Sequence, residues 1–257
     1  MSTELWAEIC DEAAAEIKSE PVLASFYHAS VINHKTFMCA LAYQLAAKLD
    51  SSEVPAMLIR DVAEQAMAGD ESILGAAAAD IRAYRERDPA CKQFLMPFLY
   101  FKGFHAIQSQ RIAHFFWNEG RETLALFLQT RAASVFAVDI HPAVRIGQGI
   151  MLDHATGLVV GETSRIGDNV SILHQVTLGG TGTDSKMRHP QIGDGVLLAA
   201  GATLLGAIQI GDGAKVAAGS LVLDDVRPHT TVAGVPAKQV GRPITQEPAR
   251  DMDQGLN

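Results

Sequence analysis

Residues 192–226 read IGDGVL LAAGAT LLGAIQ IGDGAK VAAGSL VLDDV, and Ile192, Leu198, Leu204, Ile210, Val216 and Val222 open successive groups of six. With 48% of the chain hydrophobic, six such matches in one preset register would arise by chance about once in 80 trials. Four residues after each stands a second small or apolar residue: Val196, Ala202, Ile208, Ala214, Ser220 and Val226. A helix repeats near 3.6 and an amphipathic strand at 2, so a period of six means short strands joined by regular corners. Three sixes make one triangular coil of a parallel β-helix. Upstream the pattern runs Ile140, Ile146, Leu152, Leu158, slips by two, and resumes at Val160, Ile166, Ile172 and Leu178, which predicts one enlarged coil.

Other features agree with a narrow prism. Seventeen of the 22 glycines fall between Gly147 and Gly241, where corners need positive φ or close backbone approach. No aromatic residue follows Phe136, as expected where only aliphatic stacks fit. Residues 179–191 break the register and read as a loop thrown out from one corner.

The first 136 residues have helical spacing instead. Trp6, Ile9, Cys10, Ala13 and Ile17 mark one amphipathic face, and Phe37, Leu41, Leu45 and Leu49 another. Asp70 is the expected N-cap of a helix running to Arg87, which Asp88-Pro89 should end. Continuous helices are expected over Pro97 to Trp117 and Arg121 to Phe136. This region holds all 16 aromatic residues, more apolar content than a small bundle needs, so part should face a partner subunit. The fold class read from these patterns is α+β: a helical domain over 1–136, a β-helix over 137–241, and a loose, Pro- and Gln-rich tail over 242–257.

A formal charge of -8 and a pI near 5.5 argue against gripping nucleic acid or anionic membrane. Three widely spaced cysteines, Cys10, Cys39 and Cys91, do not form a disulfide framework or zinc cluster, and a reducing cytoplasm is the expected home. No apolar run approaches the roughly 20 residues of a membrane span.

The chemistry centres on Asp153-His154. A histidine whose ring is oriented by a carboxylate can act as a general base. Asp139, 15 residues earlier and close to one coil away, is a candidate to approach His154 from the neighbouring rung, while Asp153 suits a cationic group such as a substrate ammonium. His141 and His174 read as solvated corner residues. The run Leu178-Gly179-Gly180-Thr181-Gly182 lacks a phosphate-loop arrangement. It reads equally as N–H groups facing an oxyanion or as a loop hinge. Arg188 has the geometry for a carboxylate clamp. HExxH, CxxC and GxSxG are all lacking.

An ordered series of motifs carries a resemblance: Glu20 to His28, Arg87 to Ala90, Lys102 to Ala106, Val138 to Pro142, Leu152 to Gly157, Val176 to Gly182, Arg188 to Pro190 and Val232 to Ala237. The sequence resembles the serine acetyltransferases, hexapeptide-repeat acyltransferases of bacterial cysteine synthesis. The resemblance implies a left-handed β-helix that trimerises, two trimers joined through the helical domain into a homohexamer, and active sites between adjacent prisms. It implies acetyl transfer from acetyl-CoA, a co-substrate, to the L-serine hydroxyl, without a metal, and inhibition by L-cysteine at the serine site. His154 is then the base, Asp139 its orienting partner, and Gly180 the oxyanion donor. Asp88, Asp153, Arg188 and His189 surround the amino acid. The pantetheine arm runs past Gly179, Gly180, Ala200, Gly201, Ala218 and Gly219.

Family loops commonly read Gly-Thr-Gly-Lys and Gly-Asp-Arg-His-Pro, whereas here Thr183 follows Gly182 and Met187 precedes Arg188. Members that dock into the sulfhydrylase do so through a C-terminal isoleucine. This chain ends Gly255-Leu256-Asn257, so that complex is not expected. Rival readings are an acyltransferase acting on a sugar hydroxyl, a zinc hydratase with three histidine ligands, and a non-catalytic scaffold.

Overall fold

The computed structural model describes residues 2–182 and 186–256. The helical region comprises α1 (Ser2–Ser19), α2 (Ala24–Tyr27), α3 (Phe37–Leu49), α4 (Ala56–Gly69), α5 (Ser72–Arg87), α6 (Leu95–Tyr100), α7 (Lys102–Asn118) and α8 (Glu122–Phe136). Glu71, not the expected Asp70, is the N-cap of α5, and the Asp70 carboxylate just before it accepts the Ser72 N–H at 2.9 Å. The single helix expected over Pro97 to Trp117 is broken, because Phe101 is extended (φ -88, ψ 107) and separates α6 from α7. Packing imposes the break. The start of α7 lies against the β-helix so closely that a Cβ on Gly103 would sit 2.2 Å from the Leu152 carbonyl oxygen.

The solenoid has three faces. Sheet A orders β1 (Val138–Ile140), β4 (Leu158–Val160), β7 (Thr177–Gly179), β10 (Thr203–Leu205) and β13 (Leu221–Val222). Sheet B holds β2 (Arg145–Ile146), β5 (Arg165–Ile166), β8 (Gln191–Ile192) and β11 (Gln209–Ile210). Sheet C holds β3 (Met151–Leu152), β6 (Ser171–Ile172), β9 (Leu197–Leu198), β12 (Lys215–Val216), β14 (Thr231–Gly234) and β15 (Ala237–Gly241), the last pairing antiparallel to end the stack. Ile192, Leu198 and Leu204 fall on sheets B, C and A in turn, and Ile210, Val216 and Val222 repeat the circuit. All six are at most 3% exposed. The residues four later are buried as well. Each such aliphatic side chain contributes about 1.5–3 kcal/mol by leaving water.

Register locates the slip. β3 pairs with β6 at an offset of 20 (Met151↔Ser171), whereas β4 pairs with β7 at 18 (Val159↔Thr177). The two additional residues therefore lie in the corner 153–157, between sheets C and A.

The segment 242–256, expected from composition to be loose, lies against the solenoid. It folds back as α9 (Pro248–Asp251), with Ala249 buried against the solenoid and its carbonyl accepting from Ser171 Oγ at 2.6 Å. Lys215, 2% exposed, supplies the reason. A buried ammonium needs acceptors, and the Asp253 carbonyl (3.0 Å) and Gly255 carbonyl provide them.

Inside the helical region His105 on α7 is fully buried, with Nε2 bonded to the Phe98 carbonyl at 2.8 Å. Burial, aided by Lys48, pushes its pKa down to about 3. An unfolded histidine titrates near pH 6.5, so between those values only the unfolded chain holds the proton. Stability contributed at neutral pH is therefore lost as pH falls below 6.5. In denaturant titrations at pH 7 and pH 5, His105→Gln should lose less stability on acidification than the parent, and equal losses would refute this assignment.

Candidate active site

The enlarged corner carries Asp153, His154, Ala155, Thr156 and Gly157. His154 and Ala155 both adopt left-handed backbone (φ 56 and 58), a strained conformation that surrounding bonds must hold. Asp153 N–H donates to the Ile172 carbonyl (2.8 Å), Gly157 N–H to Ala137 (2.7 Å), and Gln175 N–H to Thr156 (2.8 Å). From the helical region, the buried Tyr84 hydroxyl donates to the Leu152 carbonyl (2.9 Å) and accepts its N–H (3.0 Å), which fixes the strand entering the corner.

His154 projects from this bulge with its side chain 75% exposed, its Nε2 3.6 Å from Asp153 Oδ1. The His174 ring, one rung on, meets it edge to face at 6.0 Å, and so is not simply a solvated corner residue. Burial raises the Asp153 carboxyl above its usual range, with His154 pulling it down and Asp88 pushing it up. Asp88 ends α5 and keeps one oxygen engaged by the Ala90 N–H at 2.8 Å. Together Asp88, Asp153, His154, Tyr84, Tyr100 and Lys102 line a cavity of about 190 Å³. That is well below the several hundred Å³ of pockets for drug-sized ligands, so the cavity admits only a small molecule. A larger groove of about 920 Å³ between α4 and α8 contains no histidine, and the smaller cavity is the one lined by His154 and Asp153.

Asp139 lies mid-strand on sheet A, one coil before Val159, rather than at the corner. Its Oδ1 accepts from Gln129 Nε2 at 2.7 Å, and within one chain the carboxylate beside His154 is Asp153.

Arg188 and His189 occupy the other edge of sheet A, against the corner 161–164. The His189 ring packs over bare backbone, and a Cβ added to Gly161 or Gly180 would approach its Nε2 to 2.0 or 2.9 Å. Thr163 N–H donates to His189 Nδ1 (3.2 Å), and the Thr163 hydroxyl lies 2.8 Å from the same nitrogen while accepting the N–H groups of Arg188 and His189. This network assigns the proton of the neutral ring to Nε2. Burial, then the adjacent Arg188 charge, lowers the His189 pKa and favours that neutral form. Arg188 Nη2 is bonded to Glu162 Oε2, and this bond is the main reason the Glu162 carboxyl lies below its usual value.

Glu162 and Thr163 were not anticipated from the sequence. The signal was the loop length: β5 pairs with β8 at an offset of 26 (Arg165↔Gln191), which sets Glu162 beside Arg188 and Thr163 beside His189. Thr183 lies outside the described residues, and Met187 is exposed.

Ala200, Gly201, Ala218 and Gly219 continue the His154 edge upward. Gly201 N–H bonds to the His174 carbonyl and Gly219 N–H to Ala200, both at 2.9 Å. Both glycines have positive φ (70 and 66), leaving a side-chain-free track beside the base. Gly179 and Gly180 belong to the His189 edge. The predicted residues thus form two groups, separated by the three-residue strands of sheet A, about 10 Å long. Among the described residues no cluster of three His, Cys, Asp or Glu side chains could hold a metal ion, and no helix is long and apolar enough to cross a membrane.

The profile for "Serine acetyltransferase, N-terminal" matches residues 5–109, and that for "Bacterial transferase hexapeptide (six repeats)" matches 189–224. The serine acetyltransferase of Salmonella typhimurium is 55% identical over 253 residues, spanning 98% of this chain and 93% of that protein. The chain belongs to the serine acetyltransferase family. Among solved members, a serine acetyltransferase in complex with cysteine superposes with a TM-score of 0.97 at 49% identity, covering 99% of both chains. Another, in complex with CoA, gives 0.90 at 50% identity, covering 93% of this chain and 100% of that one.

Proposed function

We infer that this chain transfers acetyl from acetyl-CoA to the hydroxyl of L-serine, releasing CoA and O-acetyl-L-serine for cysteine synthesis. The observation that carries the reading is the small cavity in which the exposed His154 imidazole meets the carboxylates of Asp88 and Asp153. Two acidic groups suit an α-ammonium, and a sugar acceptor would leave them unpaired.

The reaction follows from these parts. His154 takes the proton of the serine hydroxyl as its oxygen attacks the thioester carbonyl. The C–O bond forms, the C–S bond breaks, and the imidazolium returns the proton to the departing CoA sulfur. A thioester is already activated, so positioning, deprotonation and oxyanion stabilisation suffice. Asp139 is assigned to orient His154 in the assembled site, and the Gly180 N–H to face the thioester oxygen. Arg188 and the His189 Nε2–H are assigned to the serine carboxylate, with Arg188 leaving Glu162 to reach it. The pantetheine arm is assigned to the track of Ala200, Gly201, Ala218 and Gly219, running past Gly179.

One prism presents the base on one edge of sheet A and the carboxylate clamp on the other. A site that uses both is completed when the His154 edge of one prism meets the His189 edge of the next, which supports a trimer. Exposed Val22, Leu23 and Phe26 in the helical region suit the joining of two trimers into a hexamer. L-cysteine, which differs from serine only in the side-chain atom, is the expected inhibitor of the same pocket.

Thiol release from acetyl-CoA tests the reading. L-serine should support turnover at least a hundredfold faster than a monosaccharide acceptor, and L-cysteine should compete with serine. Equal rates with both acceptors would overturn the assignment.

A further inference from the structure

We propose that Lys102 is a positioning residue that holds the corner bearing His154 in its reactive geometry through Thr156. The proposal rests on the reading of His154 as the base.

The two residues inserted in the corner 153–157 create a need that the backbone ladder meets only in part. His154 and Ala155 are both left-handed, and Ala155 takes no bond from the neighbouring rungs: its N–H turns back to the Asp153 carbonyl at 2.6 Å. The side-chain bond made to this corner from the helical region comes from Lys102, whose Nζ donates to Thr156 Oγ1. Thr156 in turn is tied to the base, its N–H reaching the His154 carbonyl at 2.7 Å and its hydroxyl lying 3.4 Å from the same oxygen.

The placement of Lys102 is otherwise unfavourable. It is the first residue of α7, where the helix dipole disfavours a cation and the first-turn positions favour acidic residues. A lysine there does not serve the helix. Its backbone is confined by Gly103, which abuts the Leu152 carbonyl, and by the extended Phe101. Lys102 also lines the cavity with Asp88, Asp153 and His154, where its recorded side-chain bond is the one to Thr156.

The test compares Lys102→Met, Lys102→Arg, Thr156→Val and the Lys102→Met/Thr156→Val double variant in serine-dependent CoA release, alongside thermal midpoints. Lys102→Met should lower kcat at least tenfold, change KM for serine less than threefold, and leave the midpoint near that of the parent. Lys102→Arg should recover most of the rate. In the Thr156→Val background the Lys102→Met change should cost less than twofold more. The proposal is overturned if Lys102→Met stays within twofold of the parent, if the two single effects multiply, or if the loss falls on KM for serine, which would make Lys102 a direct substrate contact. His154→Ala in the same assay separates the two readings. Collapse there with an unaffected Lys102→Met removes only the role of Lys102, whereas retained activity removes the base itself.

Discussion

His154→Ala should lower kcat for serine-dependent CoA release by about 10²–10⁴, the span a positioned general base contributes. The loss should fall on kcat, with KM for either substrate within a few-fold, because the groups proposed to hold the ammonium, Asp88 and Asp153, and the track proposed for CoA are left untouched. Stability should change by no more than about 1 kcal/mol, the order of the strain alanine meets in left-handed backbone. The side chain is 75% exposed and packs into no core, so truncation opens no cavity. The residual rate reflects the activated thioester and the held geometry, which survive without the base. Asp139→Asn should give a smaller fall in kcat if Asp139 orients the imidazole. A His154→Ala enzyme within tenfold of the parent, with an unchanged thermal midpoint, would show that the proton leaves by another route.

Asp80→Ala should cost about 3–5 kcal/mol of stability, the range for breaking a buried ion pair by removing one partner. Asp80 is 1% exposed and accepts from Arg111 Nη2 (2.9 Å), Gln108 Nε2 (2.9 Å) and the Ile150 N–H (2.8 Å). One carboxylate therefore joins α5, α7 and the strand that leads to the catalytic corner. Arg111 keeps bonds to the Ile146 and Gly147 carbonyls (3.1 and 2.7 Å), which neutralise no charge. Activity should fall with stability, because Tyr84 on the same helix pins Leu152 just before Asp153. Asp80→Leu combined with Arg111→Met should cost less than Asp80→Ala alone, since no buried charge is then left unpaired. Urea titration of the three proteins measures this. A cost below 1 kcal/mol for Asp80→Ala would mean that water reaches the Arg111 guanidinium.

The solenoid was legible because its signal is local and repeated. Each of Ile192, Leu198, Leu204, Ile210, Val216 and Val222 faces inward for the same reason, and the two-residue slip before Val160 announced one enlarged coil, which only the strand register places at the corner 153–157. The two halves of the site were legible only as residue types. Glu162 beside Arg188 and Thr163 beside His189 depend on counting the register across the 179–191 loop, and the separation of His154 from His189 depends on which corner each occupies.

The contacts of the tail were not legible from composition, since they depend on the buried Lys215 ammonium meeting the Asp253 and Gly255 carbonyls and on Ser171 meeting Ala249. The broken helix at Phe101 was likewise not legible, because the close approach of Gly103 to Leu152 is a contact between halves of the chain. The sequence by itself therefore determined the repeat, the presence of one enlarged coil and the chemical types at the site, all encoded in spacing along the chain. The tertiary structure alone decided how Asp80 and Tyr84 of the helical region grip the chain entering that corner, how Lys102 reaches Thr156 within it, and how Asp88 comes to face Asp153. Those contacts join residues tens of positions apart, where no periodicity records who meets whom and only packing selects the partner.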